Sequence, residues 1–282
     1  MDKDRAEGEA MDISHGASFA GPMKIYAGGY EDVGDAAIIV ITAGANQKPN
    51  ETRLDLVQKN AKIMTDVVTQ IKEQEYKGIL LIVSNPVDIM TQVAMEVSGF
   101  PEHRVFGSGT VLDSARLRYH LGQHLGVDSR SVHAFVIGEH GDSEIAAWSS
   151  ANVSGVPLNS FCEMRGHFNH EGNTESIEEQ VKNSAYEIIA KKDATYYGIA
   201  MVVKRICQAI VRDEKSIFPI SLRMHGEYAL EDVVLSMPAI VGARGIETTI
   251  PISLDEKEVS RLHESAEMLR ETCLLYTSDA AD

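Results

Sequence analysis

A chain of 282 residues is long enough for one large or two medium domains with a sizeable core. Its 42 acidic residues against 26 basic ones leave a net charge of −16, which argues against nucleic acid or an anionic membrane surface as a partner. Three cysteines, Cys162, Cys207 and Cys273, lie far apart with no CxxC pair, so a thiolate metal site or redox motif is not expected and a reducing cytoplasm fits. From the N-terminus, MDKDRAEGEAMD is too charged for a signal peptide, and nowhere does the chain reach the roughly 18 uninterrupted apolar residues of a membrane span. The first 110 residues then alternate short apolar runs with amphipathic stretches, the pattern of a parallel sheet covered by helices. The runs Met23 to Ala27, Ala36 to Thr42, Ile79 to Ser84 and Val105 to Gly107 predict strands. Leu54, Val57, Ala61, Met64, Val68 and Ile71 recur at helical spacing between them, as do Ile89, Val93 and Val97. These pieces predict an α/β protein containing half of a doubly wound fold, in which ligands sit at the carboxyl ends of the strands. Two such ends carry unusual chemistry, ITAGANQKPNETR and VSNPVD.

Further along, Val132 to Ile137 predicts a strand that feeds VIGEHGDSE, and a polar stretch spans Ser149 to Asn173. Ser176 and Glu179 form a capping box that predicts the start of one long helix ending near Asp213. Ser216 to Ile250 reads as β-type runs, and Glu256 to Glu271 as a final helix that CLLYTSDAAD does not continue. The organisation expected is a nucleotide-binding unit over 1–108, an α+β substrate unit over 109–272, and a tail over 273–282 foreign to the fold.

The most informative chemistry is His140. It stands on a turn between Gly138 and Gly141, directly after a strand. An imidazole titrates near neutrality, so a carboxylate held against it makes a proton donor and acceptor at physiological pH. A loop histidine taken alone most often has only a hydrogen-bonding job. Here, however, GSGTVLDSARLR offers Asp113 as the carboxylate and Arg116 one helical turn later on the same face. A base, its orienting acid and a guanidinium for a substrate anion are the parts needed to oxidise an alcohol or reduce a ketone.

Five motifs in one order, ITAGANQKPNETRLDLVQKN, VSNPVD, FGSGTVLDSARLR, VIGEHGDSE and ATYYGIA, resemble the lactate and malate dehydrogenase family, and within it the bacterial L-lactate branch. The resemblance runs from about Asp2 to Thr272. It implies a Rossmann-type sheet with a catalytic α+β domain and NAD-dependent hydride transfer between L-lactate and pyruvate in glycolysis and fermentation, usually in a cytoplasmic homotetramer. His140 then exchanges the proton, Asp113 orients it, and Arg116 grips the substrate carboxylate in a bidentate fork that lysine cannot reproduce. Arg53 is carried in by a mobile loop to polarise the reacting carbonyl. Gln47 faces the substrate side chain: the malate enzymes have arginine there, and a neutral glutamine suits a methyl group. Asn85 and Thr195 complete the substrate pocket. Gly44, Ala45, Val83, Ser84, Asn85 and Ser108 resemble cofactor contacts, with Arg5 and Tyr30 near the adenosine end. Arg118 and His133 match positions at which bacterial members bind fructose 1,6-bisphosphate across a subunit interface.

Several features depart from the family. Asn50 and Asp193 stand where glycine is usual, and Asp193 is expected to strain a helix kink. No GxGxxG occurs, so the chain is expected to lack the first strand, the phosphate-binding turn, the first helix and the second strand of the nucleotide unit. The alternatives left open are a malate or other 2-hydroxy-acid dehydrogenase, and a noncatalytic fragment unable to hold NAD.

Overall fold

The computed structural model describes residues 2–45 and 53–279, without the side chains of Arg53 and of 274–279. Gln47 and Asn50 lie outside the described residues. Helix α1 (Lys3–Ala20) is capped by Asp2, whose carboxylate accepts the Arg5 N–H at 3.0 Å, yet none of its residues is buried. Strand β1 (Ile38–Ile41) follows, then helix α2 (Arg53–Glu73), β2 (Ile79–Ile82), helix α3 (Val87–Ser98) and β3 (Val105–Gly107). In α2 the expected positions Val57, Ala61, Met64, Val68 and Ile71 are all buried. Helix α3 is apolar on most sides and buries nine of its residues, ending on Gly99 in the left-handed conformation.

Helix α4 (Val111–Leu125) leads to four short strands, β4 (Val132–His133), β5 (Val136–Ile137), β6 (Ile145–Ala146) and β7 (Asn152–Val153), and to β8 (Val156–Pro157). Helices α5 (Leu158–Met164), α6 (His170–Lys192) and α7 (Tyr197–Val211) come next. The chain closes with β9 (Ser216–His225), β10 (Glu231–Gly242), β11 (Gly245–Thr249) and helix α8 (Glu256–Asp279). The main sheet has the order β1-β2-β3-β9-β10-β11. Its first three strands are parallel, with Ile38 opposite Ile79 and Leu80 opposite Val105. Strand β9 joins β3 antiparallel through the pair Gly107 and Ser221, so the sheet runs on past residue 108. That approach needs glycine, because a Cβ at Gly107 would lie 2.5 Å from Thr91 Oγ1 and 2.8 Å from Ser221 Cβ. One core fills both faces of this sheet, and a second packs Leu117, Leu121, Leu125, Val153, Ile177 and Val181 among α4, α6 and the short strands.

Five local expectations need correction. Met23 to Ala27 forms no strand: the segment pairs with none of the strands among the described residues, and Met23 and Tyr26 are exposed. The run Val132 to Ile137 splits, because β4 pairs with β7 while β5 pairs with β6. The single long helix is two, since Asp193 turns left-handed at φ 67° and ends α6. That helix begins at Asn169 rather than Ser176, which sits inside it and accepts from Gln180 through its carbonyl and hydroxyl oxygens. Finally, α8 continues through most of CLLYTSDAAD, which contains neither glycine nor proline to stop it, and Cys273 is fixed by a 3.3 Å contact to Gln92.

Candidate active site

Strands β1, β2 and β3 end side by side, and the turn between β5 and β6 is brought against those ends by the sheet. Gly138, at φ 84°, exchanges two backbone hydrogen bonds with Ser236 of β10, at 2.9 and 2.8 Å. Glu139 N–H donates to Ser265 Oγ at 2.9 Å, so α8 also holds the turn. His140 follows, and its own N–H donates to Asp88 Oδ2 at 2.7 Å, while Asp88 Oδ1 accepts the Ser221 hydroxyl at 2.6 Å. Asp88 is buried in the first turn of α3, so one carboxylate ties α3, β9 and the histidine turn together.

The expected dyad is present. His140 Nδ1 meets Asp113 Oδ2 at 2.6 Å, and the other oxygen of Asp113 accepts from Arg116 Nη1 at 2.7 Å, the i,i+3 spacing of α4 placing both on one face. Burial disfavours charge on His140, but the Asp113 carboxylate, followed by those of Asp88 and Glu144, outweighs it and pushes the imidazole up to about 9. Burial likewise works against an ionised Asp113, and the His140 and Arg116 cations outweigh it, holding the carboxyl below its usual range. Asp88 is pushed up to about 6 by burial, against the hydrogen bonds from Ser221 and the His140 backbone. With Nδ1 committed to Asp113, Nε2 is the nitrogen left to exchange a proton with a bound oxygen.

His140 and Arg116 open on a cavity of about 780 Å³. Thr195, from the α6–α7 connection, and Asn85 share its lining, as do Gly44, Ala45, Val83, Ser84 and Ser108. The last five come from the ends of β1, β2 and β3 and have small side chains. Ser84 Oγ donates to the Ala43 carbonyl at 2.6 Å. Asn60 of α2 accepts the Ala45 N–H at 2.7 Å and donates to the Asn85 carbonyl at 3.0 Å, stitching the first two strand ends together. The Asn85–Pro86 peptide is cis. The cavity is far larger than a three-carbon acid requires, and its small-residue wall leaves room for a flat ring and ribose beside the charged groups. The residues present therefore fit a nicotinamide nucleotide.

Of the other expected positions, Arg5, Tyr30, Arg118 and His133 do not line this cavity. Arg5 is on α1, its side chain 78% exposed beside Glu9. Tyr30 packs at the edge of the main core, where burial and then the nearby Asp66 push its phenol up. Arg118 donates to the Ala134 carbonyl at 2.9 Å and lies over the Phe135 ring, beside the exposed His133. Arg53 opens α2, its side chain outside the described residues. Sequence reasoning missed Asp88, Asn60 and the apolar lining residues Leu112 and Ile199. Asp88 was within reach, as the only charged residue of VSNPVD.

Comparison with known proteins identifies the family. The NAD binding domain of lactate/malate dehydrogenase matches residues 1–107, and the alpha/beta C-terminal domain of the same family matches residues 110–276. An L-lactate dehydrogenase of Acetivibrio thermocellus is 48% identical over 267 residues, covering 95% of this chain and 84% of that protein. Among solved structures, a lactate dehydrogenase from a Medee basin deep-sea metagenome library superposes with a TM-score of 0.94 at 46% identity, covering 98% of this chain and 88% of that one. The minor L-lactate dehydrogenase of Enterococcus mundtii in its ligand-bound form gives 0.94 at 41% identity, covering 97% and 87%. By sequence and fold, the chain belongs to the lactate/malate dehydrogenase family.

Proposed function

We propose that this chain interconverts pyruvate and L-lactate with NADH and NAD. The observation that carries the reading is Asp113, whose two oxygens hold His140 and Arg116 at the wall of one cavity. The nicotinamide, when bound, supplies or accepts the hydride at the substrate carbon. Arg116 holds the substrate carboxylate, and His140 Nε2 gives its proton to the carbonyl oxygen as that oxygen gains charge. Asp113 stabilises the imidazolium before the transfer and keeps the ring oriented after it. Asn85 offers an amide to the substrate, and Thr195 borders its side-chain end. Arg53 polarises the carbonyl on closure, and Gln47 leaves a second carboxylate without a partner, which favours pyruvate over oxaloacetate.

The assembly is a cytoplasmic homotetramer. Its support is α1, which buries no residue yet carries Met11, Ile13 and Phe19 on its surface, and α7, which exposes Tyr197 and Met201. Arg118 and His133 bind fructose 1,6-bisphosphate between subunits, lowering the apparent KM for pyruvate. The direct test is pyruvate reduction by the chain and by H140N, with oxaloacetate in parallel. Turnover should favour pyruvate and fall by about three orders of magnitude in H140N while NADH still binds. Near-normal turnover in H140N would refute the assignment.

A further inference from the structure

Glu144 closes the turn that carries His140, and it is only 4% exposed. Its carboxylate, that of Asp113 and a ring nitrogen of His140 all lie within 4.8 Å of one another. Asp113 has two cationic partners, whereas the cations around Glu144 are each engaged elsewhere. Arg116 of α4 is on Asp113, and Lys182 of α6 lies 3.5 Å from Glu178. Arg261 of α8 pairs with Glu178 as well, and reaches Glu144 only through its backbone carbonyl. Asp88 of α3 is directed at the His140 N–H and Ser221, and Glu139 accepts the Ser143 hydroxyl.

Two carboxylates this close in a buried site resist being ionised together. Asp113, with both its oxygens paired, keeps the charge, so Glu144 carries the proton at neutral pH. Burial first, and then the charge of Asp113, push the Glu144 carboxyl up to about 8.

We propose that Glu144 is a positioning residue of this site, a third carboxyl that governs how firmly His140 holds its proton. The inference rests on the reaction proposed above for its functional meaning. At neutral pH Glu144 is uncharged and the proton on His140 is held mainly by Asp113. As the solution becomes alkaline Glu144 ionises and adds a second negative charge beside the imidazolium. The proton donor that pyruvate reduction needs is thereby retained where Asp113 alone would begin to lose it.

The test is the titration of the His140 ring in the unliganded chain, followed by NMR with 13C-labelled histidine and assigned by the signal lost in H140N. In the unaltered chain the ring should titrate over two overlapping steps, because the two groups exchange protons as a coupled pair. In Glu144→Gln it should titrate in one step, about one pH unit lower. Glu144→Asp should restore the coupled curve. The alkaline limb of kcat/KM for pyruvate should move the same way in each variant. A merely structural role would change the size of kcat/KM without moving its pH midpoint. If Glu144→Gln fails to fold, Glu144→Met carries the same expectation. A His140 curve unchanged by loss of the carboxyl overturns the proposal. Absence of pyruvate turnover in the unaltered chain would overturn the functional reading instead, with the ring titration still deciding the role of Glu144.

Discussion

On the cavity wall formed by α3, α4 and the β5–β6 turn, His140, Asp113, Arg116 and Asp88 are joined by charged hydrogen bonds of 2.6 to 2.7 Å. The facing wall, at the ends of β1, β2 and β3, consists of small residues whose polar contacts run mostly to backbone carbonyls and amides. The first wall holds groups whose charge and direction must not drift, and the second mainly keeps space open. Changes of equal size should therefore have unequal consequences on the two sides.

The largest effect separating them should come from Arg116→Lys. Lysine keeps the charge but loses the fork, so kcat/KM for pyruvate should fall by about 100-fold or more, with NADH affinity little changed. A loss under about threefold would remove Arg116 from substrate binding. Asp88→Asn keeps the shape but replaces the oxygen that receives the His140 N–H with a group that can turn its own donor toward it. Steady-state kinetics should show kcat reduced about tenfold, as expected for a displaced catalytic group. An unchanged kcat would mean that Gly138 and Ser265 alone fix the turn.

On the open wall, Gly44→Val tests the opposite principle. A Cβ at Gly44 would meet nothing nearer than 3.6 Å, so the fold should accept it, and the added bulk should instead occupy ligand space. Fluorescence titration should give an NADH Kd raised by about tenfold, with kcat at saturation changed by less than about threefold. A smaller effect is on stability. His140 is raised to about 9 from an ordinary 6.5, so its stabilisation is complete below about 6.5 and is lost as pH rises through about 9. Thermal midpoints should decline across that window, and H140N should flatten the decline. Asp113, held below its usual range, acts in the opposite direction, its contribution present at neutral pH and lost in acid.

How much of this was legible in the sequence depends on the separation of the groups involved. Asp113 and Arg116 are three apart on one helix, so their shared face follows from helical geometry. The parallel half of the sheet was legible from apolar runs, because strands buried on both faces need no polar alternation. The break at Asp193 was marked only by a residue in place of the usual glycine, while the apolar periodicity ran straight across it. The split of Val132 to Ile137 depends on which strands lie alongside, information the run itself does not contain. Asp88 stood out as the only charged residue of VSNPVD, but its partner is a backbone N–H, which carries no residue type to pair it with. Asn60 escaped for the same reason, since it binds the backbone of Ala45 and Asn85.

The anchoring of the His140 turn also bears on the order of synthesis. Its contacts reach back 52 residues to Asp88, while the neighbouring Glu139 reaches forward 126 residues to Ser265. Asp88 in turn is joined to Ser221 across 133 residues. A nascent chain that has emerged as far as α4 already contains Asp88, Asp113 and Arg116, but neither His140 nor the Ser221, Ser236 and Ser265 that help to aim its turn. The nucleotide half can begin to collapse on its local strand–helix units, whereas the reactive geometry must wait for α8 and for loops whose closure is slow. Competence thus arrives only with Ser265 of α8, 126 residues beyond the Glu139 that it holds and long after Asp113 and Arg116 have been made.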